Sequence, residues 1–153
     1  MMGPNFFPGM VYMFKCCCEG KKISFKNNRF ENEDGFDVNG TEEHPFLIIS
    51  STEQNIRESY LTVIPITSSG TAYNDVYSKK IASEMVRGKA QSLVQNNSYL
   101  KIGHPTRIFK NHISKDRTGV PIYIGEFYPT MIPFIVSEVV KSIGAKEILN
   151  QKA

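Results

Sequence analysis

Two apolar runs joined by a polar segment constrain the fold of this 153-residue chain more than any other feature. The first run, FLII, occupies residues 46–49, and the second, LTVIPI, occupies residues 61–66. Both are rich in branched apolar residues and have the length of strands. The polar segment between them has the composition of a turn. The pattern therefore predicts two neighbouring antiparallel strands.

Polar side chains stand at one end of each predicted strand. His44 lies just before the first run, and Thr67, Ser68 and Ser69 follow the second. In an antiparallel pair the beginning of one strand lies beside the end of the other. We therefore expect an imidazole and a set of hydroxyls at the same rim of a sheet, which is a candidate functional site.

Size and charge narrow the possibilities further. A chain of this length with 41% hydrophobic residues suits a single domain over residues 1–153 with one core. The net charge is only +3, but residues 19–58 hold nine acids and five bases, whereas residues 79–117 hold nine bases and two acids. Such a basic block is typical of a solvated face or of a surface that binds phosphates, and both interpretations stay open.

Several classes of protein are disfavoured. No apolar run approaches the roughly 18–20 residues of a membrane-spanning helix, and prolines interrupt the Phe- and Met-rich lead-in 1–8, so we predict a soluble cytoplasmic protein. Cys16, Cys17 and Cys18 are consecutive, and neighbours in a strand point to opposite faces, so we expect reduced structural thiols. The histidines show no ligand spacing with them, and no metal or other cofactor is predicted.

The remaining segments predict an α+β fold. A first strand is expected within residues 9–18, and the polar segment 19–43 is either a hairpin or a long loop. Apolar spacing predicts an extra helix in the middle of the chain at 79–94, stopped by Asn96 and Asn97, and a strand beginning within 76–81 is the alternative for its first part. It also predicts a C-terminal amphipathic helix within 129–149, whose first section ends near Gly144. Short strands are expected in 99–108, broken at 103–105, and in 120–127. Together these elements describe a small β-barrel closed by a helix.

Four short motifs carry a resemblance to a known family. GMVY at 9–12, HPFLIIS at 44–50, VIPITS at 63–68 and IGEF at 124–127, in this order and with a helix after the last, resemble the MazF/PemK toxins of bacterial toxin-antitoxin systems. The resemblance implies an SH3-like barrel that forms a homodimer and cleaves single-stranded RNA without a metal. It also implies a partner antitoxin that neutralises the toxin.

The resemblance also implies a catalytic set. The family has a catalytic arginine before the strand proline, where this chain has His44, and the threonine of its Pro-Ile-Thr-Ser motif corresponds to Thr67, followed by Ser68. Arg107 is the nearest match to a later arginine of the family. An imidazole, with an ordinary pKa of about 6.5, is suited to proton transfer at neutral pH. Residues 70–97 form a longer stretch than the family leads us to expect.

Basic and aromatic residues supply candidate RNA contacts. Phe25, Phe30 and Phe36 either stack on bases or pack the 19–43 segment onto the barrel. Glu42 and Glu43 either orient the imidazole or solubilise the loop. The predicted contacts to RNA phosphates are Lys21, Lys22, Lys26, Arg29, Lys79, Lys80 and Lys110.

Two alternative functions stay open on the same barrel. The first is a non-catalytic binding module in which the arginine is lost because no cleavage is needed. The second is a toxin that poisons a protein such as a topoisomerase. In either case His44 is a rim residue hydrogen-bonded to backbone, Thr67 caps a strand end and Arg107 is a solvated surface residue.

Overall fold

A computed structural model describes residues 5–15, 23–26, 29–32, 43–68 and 77–143. In these ranges the strands are β1 (Met10–Lys15), β2 (Ile23–Lys26), β3 (Arg29–Asn32), β4 (Glu43–Ile48), β5 (Tyr60–Thr67), β6 (Ser78–Lys80), β7 (Val86–Arg87), β8 (Tyr99–Lys101), β9 (Thr106–Phe109) and β10 (Tyr123–Phe127). The α-helices are α1 (Thr52–Arg57), α2 (Gln91–Gln95) and α3 (Met131–Ser142). Short 3-10 turns occupy Ser83–Met85, Gly88–Ala90 and Lys110–His112.

One antiparallel sheet organises the chain. Its strands follow the order β6-β8-β5-β4-β1-β10-β7, and β9 also pairs with β5. The two ends of this path are the very short strands β6 and β7, and β2 and β3 pair with each other separately. The predicted α+β barrel with a C-terminal helix is confirmed, as is the antiparallel pairing of the two apolar runs.

Both faces of the central strands are buried. We call one the helix-covered face, because Leu93 of α2 and Ile135 of α3 pack there against Leu47 and Ile64. The other, which we call the aromatic face, is a second cluster built from Tyr12, Phe14, Phe46, Ile48, Leu61 and Val63. Strands buried on both sides read as continuous apolar runs rather than as an alternation. This explains the runs that dominate the sequence.

The register of β4 on β5 accommodates a proline in the middle of the sheet. Phe46 lies opposite Pro65, and Leu47 lies opposite Ile64. The Ile49 N–H donates to the Thr62 carbonyl at 3.0 Å. Because backbone-bonded pairs alternate along an antiparallel ladder, the Phe46–Pro65 pair exchanges no backbone bonds and the Pro65 nitrogen faces away from β4. The missing N–H therefore costs the β4–β5 ladder nothing.

The connection between β4 and β5 is more ordered than predicted. The sequence predicted a turn, but the structure forms α1 there. The hydroxyl of Ser51 accepts a hydrogen bond from the Gln54 N–H at 3.2 Å, which caps the first turn of the helix.

The middle of the chain differs most from its prediction. The helix predicted over 79–94 is wrong over most of its length, since only α2 is α-helical there. Lys79 of β6 pairs instead with Leu100 of β8, as the alternative of a strand start at 76–81 allowed. Gly88 adopts a φ of 66°, which interrupts helical backbone. The apolar residues of this segment are buried as the spacing predicts, but they are carried by several short elements instead of one helix.

The outer elements follow the prediction more closely. The first strand is β1, the pairing of β2 with β3 shows a hairpin within 19–43, and α3 lies inside the predicted C-terminal helix. The last predicted strand begins later than expected, at Tyr123. Cys16 to Cys18, Phe36, Glu42 and Gly144 lie outside the described residues. In the part of the chain described, none of the helices has the length and apolarity to cross a bilayer.

A buried polar network fixes the start of the chain to the β4–β5 connection. The Asn55 amide is 2% exposed and donates to the carbonyls of Phe6 and Ser50, each at 3.0 Å. The Ser50 hydroxyl donates to the Asn55 side-chain oxygen and accepts from the Thr62 N–H at 3.1 Å. Phe6 in turn covers the aromatic face.

We predict that Asn55→Ala lowers the free energy of unfolding by about 1–3 kcal/mol, because it leaves buried partners without hydrogen bonds. Urea denaturation followed by circular dichroism measures the change. Glu53→Ala in the same helix is the control, because its ion pair with Arg57 is exposed and spans 3.9 Å, and we expect it to change stability by less than about 0.5 kcal/mol. Equal destabilisation by the two variants would contradict the assigned role of the network.

Candidate functional site

The sheet brings the two halves of the predicted site together. The paired register of β4 on β5 runs from Ile48–Val63 to Phe46–Pro65, and His44 and Thr67 lie two residues beyond that last pair on their strands. Side chains two residues apart on a strand share a face, so His44 lies on the face of Phe46 and Thr67 lies on the face of Pro65. Both residues are half-buried and lie on the aromatic face.

A cleft of about 470 Å³ opens at this end of the strands. His44, Thr67 and Ser68 line it together with their neighbours Pro45 and Ile66. His44 and Pro45 are consecutive in one strand, as are Ile66 and Thr67 in the other, so the two members of each pair point to opposite faces of the sheet. A cleft that is lined by both members of each pair must lie across the strand ends rather than against one face. His44 and Thr67 therefore stand at its rim.

The polar residues on the far wall of the cleft were missed by the sequence analysis. Ser92 and Asn96 are exposed at α2, and the Ser98 residue behind them is buried. They reach the cleft because α2 packs Leu93 onto the helix-covered face. The sequence marked 96–97 only as the end of a helix, and no local pattern ties this segment to His44.

The electrostatics of the cleft are unusual for a phosphate site. Among the described residues that line it, none is Lys, Arg, Asp or Glu, and His44 contributes an imidazole. The described residues also contain no group of three His, Cys, Asp or Glu side chains that is placed to hold a metal ion. The groups available to contact a negatively charged ligand in the cleft are thus hydroxyls, an amide and an imidazole.

A phenol on the same face stays protonated. Burial, and secondarily the nearby Tyr123, raises the pKa of Tyr12 above its usual value of 10.0, and the two rings lie 5.2 Å apart. Tyr12 is thus a neutral core residue at physiological pH and is not a base for the site.

Arg107 lies apart from the other predicted catalytic residues. It pairs with Thr62 on β5, five residues from Thr67, which is roughly 16 Å along a strand. The odd number of steps also places it on the opposite face of the sheet. Its guanidinium stacks on the Tyr60 ring at 4.5 Å. The geometry therefore does not bring Arg107 to the rim that holds His44 and Thr67.

The predicted RNA-contacting residues are scattered. Lys80 is exposed in β6, whereas its neighbour Lys79 lies over the Phe134 ring of α3 at 4.8 Å. The Lys110 N–H donates to the Ser59 carbonyl near the opposite end of β5. Lys26 and Arg29 face each other at one end of the β2–β3 pair, and Lys21 and Lys22 lie outside the described residues.

Two solved structures resemble the whole chain. One is a mycobacterial endoribonuclease in complex with its cognate antitoxin, with a TM-score of 0.53, 14% identity, and coverage of 94% of this chain and 96% of that one. The other is a mycobacterial endoribonuclease, with a TM-score of 0.54, 12% identity and the same coverage. Neither the protein-family models nor the curated proteins give a match. The chain therefore shares the fold of these endoribonucleases over nearly its full length.

Proposed function

We propose that this protein is a metal-independent endoribonuclease toxin of the MazF/PemK type that cleaves single-stranded RNA. The observation that carries the proposal is the single cleft that His44, Thr67 and Ser68 line together, at the ends of the paired strands β4 and β5. The fold shared with two endoribonucleases supports it. The motifs HPFLIIS and VIPITS, from which the resemblance came, are the two strands that build this rim.

The proposed reaction combines these side chains with solvent water, which carries out the proton transfer that His44 does not. The ribose 2′-oxygen forms a bond to the adjacent phosphorus as the bond from phosphorus to the 5′-oxygen breaks, which leaves a cyclic phosphate and a 5′-hydroxyl. One proton leaves the 2′-hydroxyl and one reaches the 5′-oxygen. His44 carries out one of these transfers, since an imidazole both accepts and donates protons near neutral pH. Thr67 and Ser68 donate hydrogen bonds to the phosphoryl oxygens as their charge grows.

We predict that the purified protein cleaves a mixed single-stranded RNA in EDTA and that His44→Ala lowers the rate by about 10²–10⁴-fold, because general acid–base catalysis is lost. Gel electrophoresis of end-labelled RNA gives the rate. His104→Ala is the matched control, because His104 is a half-buried histidine in the turn after β8 and does not line the cleft.

RNA left intact by the wild type, with and without added divalent ions, would contradict the nuclease. If the protein still bound RNA, the binding module would be favoured. Growth arrest on expression without RNA cleavage would favour a toxin that acts on a protein.

A second prediction compares the contributions of Thr67 and Arg107 to the rate of cleavage. Thr67→Val keeps the shape of the side chain but removes the hydroxyl, and we expect a fall in cleavage rate of about 10²–10³-fold, as for the loss of a donor to a developing oxyanion. Thr67→Ser should retain most of the activity. Arg107→Ala should cleave at the wild-type rate, since Arg107 is stacked on Tyr60 away from the rim. A large loss of activity in Arg107→Ala would contradict this prediction, because it would show that Arg107 takes part in catalysis.

We further propose that the protein is a homodimer and that it has a cognate antitoxin, because one of the similar structures is a complex of an endoribonuclease with its cognate antitoxin. Size-exclusion chromatography with light scattering should give twice the chain mass of 17.3 kDa. A small protein encoded next to this one should co-purify with it and suppress RNA cleavage. A monomer at micromolar concentration would contradict the dimer and leave the nuclease proposal in place.

A further inference from the structure

One row of side chains runs across four strands from the candidate site. Lys80 pairs with Tyr99 and Tyr99 pairs with Thr67, while His44 lies at the end of the neighbouring strand β4, on the same face as Thr67. Residues directly opposite each other in a sheet share a face. The row therefore places a cation, an aromatic ring and a hydroxyl side by side on paired strands about 4.8 Å apart, with the imidazole at the end of the next strand.

The pleat separates the two adjacent lysines of β6. Lys79 pairs with Leu100, which is fully buried on the helix-covered face, and its ammonium lies over Phe134 of α3. Lys80 is therefore on the opposite face, in the row, and it is exposed. Tyr99 is half-buried, so part of it remains accessible to a ligand. Of these two lysines, only Lys80 shares a face with Thr67.

We propose that Tyr99 and Lys80 form the RNA-binding subsite next to the cleavage rim. This inference rests on the proposed function. Tyr99 stacks on the base beside the cleaved bond, because a half-exposed aromatic ring accepts any base face. Lys80, two strands from Thr67 and thus roughly 10 Å away, binds a neighbouring phosphate of the extended strand.

RNA binding at the cleft calls for positive charge from residues outside its lining. The described residues that line it hold no lysine or arginine. Polyanion binding draws most of its affinity from cations on the path of the backbone. Lys80 supplies that charge on the same face as the reacting groups, and Tyr99 fills the gap between charge and rim. Lys101 lies two residues from Tyr99 on β8 and so extends this basic edge on the same face.

The test measures binding apart from cleavage. A fluorescein-labelled pool of short 2′-O-methyl RNA cannot be cleaved, since the attacking hydroxyl is blocked, and fluorescence anisotropy gives its dissociation constant at several salt concentrations. The variants are Lys80→Gln and its neighbour Lys79→Gln, together with Tyr99→Leu and Tyr99→Phe. Thermal unfolding of each variant checks that it is folded, and cleavage of unmodified RNA is measured in parallel.

We expect Tyr99→Leu to weaken binding by about 5- to 150-fold, while Tyr99→Phe, which keeps the ring, binds as the wild type does. Lys80→Gln should weaken binding several-fold and reduce the slope of log affinity against log salt by about 0.7, because one phosphate contact is lost. Lys79→Gln should change neither value. This contrast between adjacent lysines is specific to the row.

Other results overturn the inference. Equal effects of the two lysine variants, or wild-type binding by Tyr99→Leu, would mean that RNA does not follow the row. If the wild type still cleaved RNA in that case, the proposed nuclease would stand without this subsite. If the wild type neither bound nor cleaved RNA, both proposals would fail. Binding that depends on the row without cleavage would support the subsite and remove the nuclease.

Discussion

The antiparallel register between β4 and β5 is the constraint on which the rest of the structure depends. Leu47 and Ile64 pack on the helix-covered face, while Phe46 and Val63 pack on the aromatic face, so both faces are occupied by apolar side chains. A slip of one residue would exchange every side chain between two differently shaped cores. The register is therefore strongly held, and it brings the ends of the two strands, with His44 and Thr67, to one cleft.

Burial decides which parts of the two strands are apolar and which are polar: the centre is buried on both faces, whereas the rim is only half-buried. Where β4 and β5 leave the shelter of α2 and the aromatic cluster, their side chains become half-buried, and His44 and Thr67 occupy those positions. Side chains there keep contact with water while their backbones remain tied into the sheet. Groups that must exchange protons with a ligand need this combination of access and fixed position. Thr67 in turn pairs with Tyr99, and Tyr99 pairs with Lys80, so one run of strand pairing orders these three groups.

The segment that precedes β8 shows how tertiary structure overrides a local pattern. Its apolar spacing of three and four residues suits a helix, yet Lys79 pairs with Leu100 and the Ile81 N–H donates to the Ser98 carbonyl. Backbone bonds to β8 thus replace those within a helix, and Gly88 turns the chain toward α2. Met85, Val86, Ala90 and Leu93 still reach one core. As a result this longer stretch of chain supplies Ser92 and Asn96 to the cleft wall.

The sequence by itself determined the apolar strands, the C-terminal helix and the polar residues at the strand ends, because these depend on hydrophobic period and turn chemistry over short distances. From them the meeting of His44 and Thr67 could be predicted. Only the tertiary structure decided that Arg107 lies on the other face of the sheet, that Lys80 and not Lys79 shares the row of Thr67, and that α2 lines the cleft. Each of these depends on which strands pair, and in what register, across separations that no local pattern encodes.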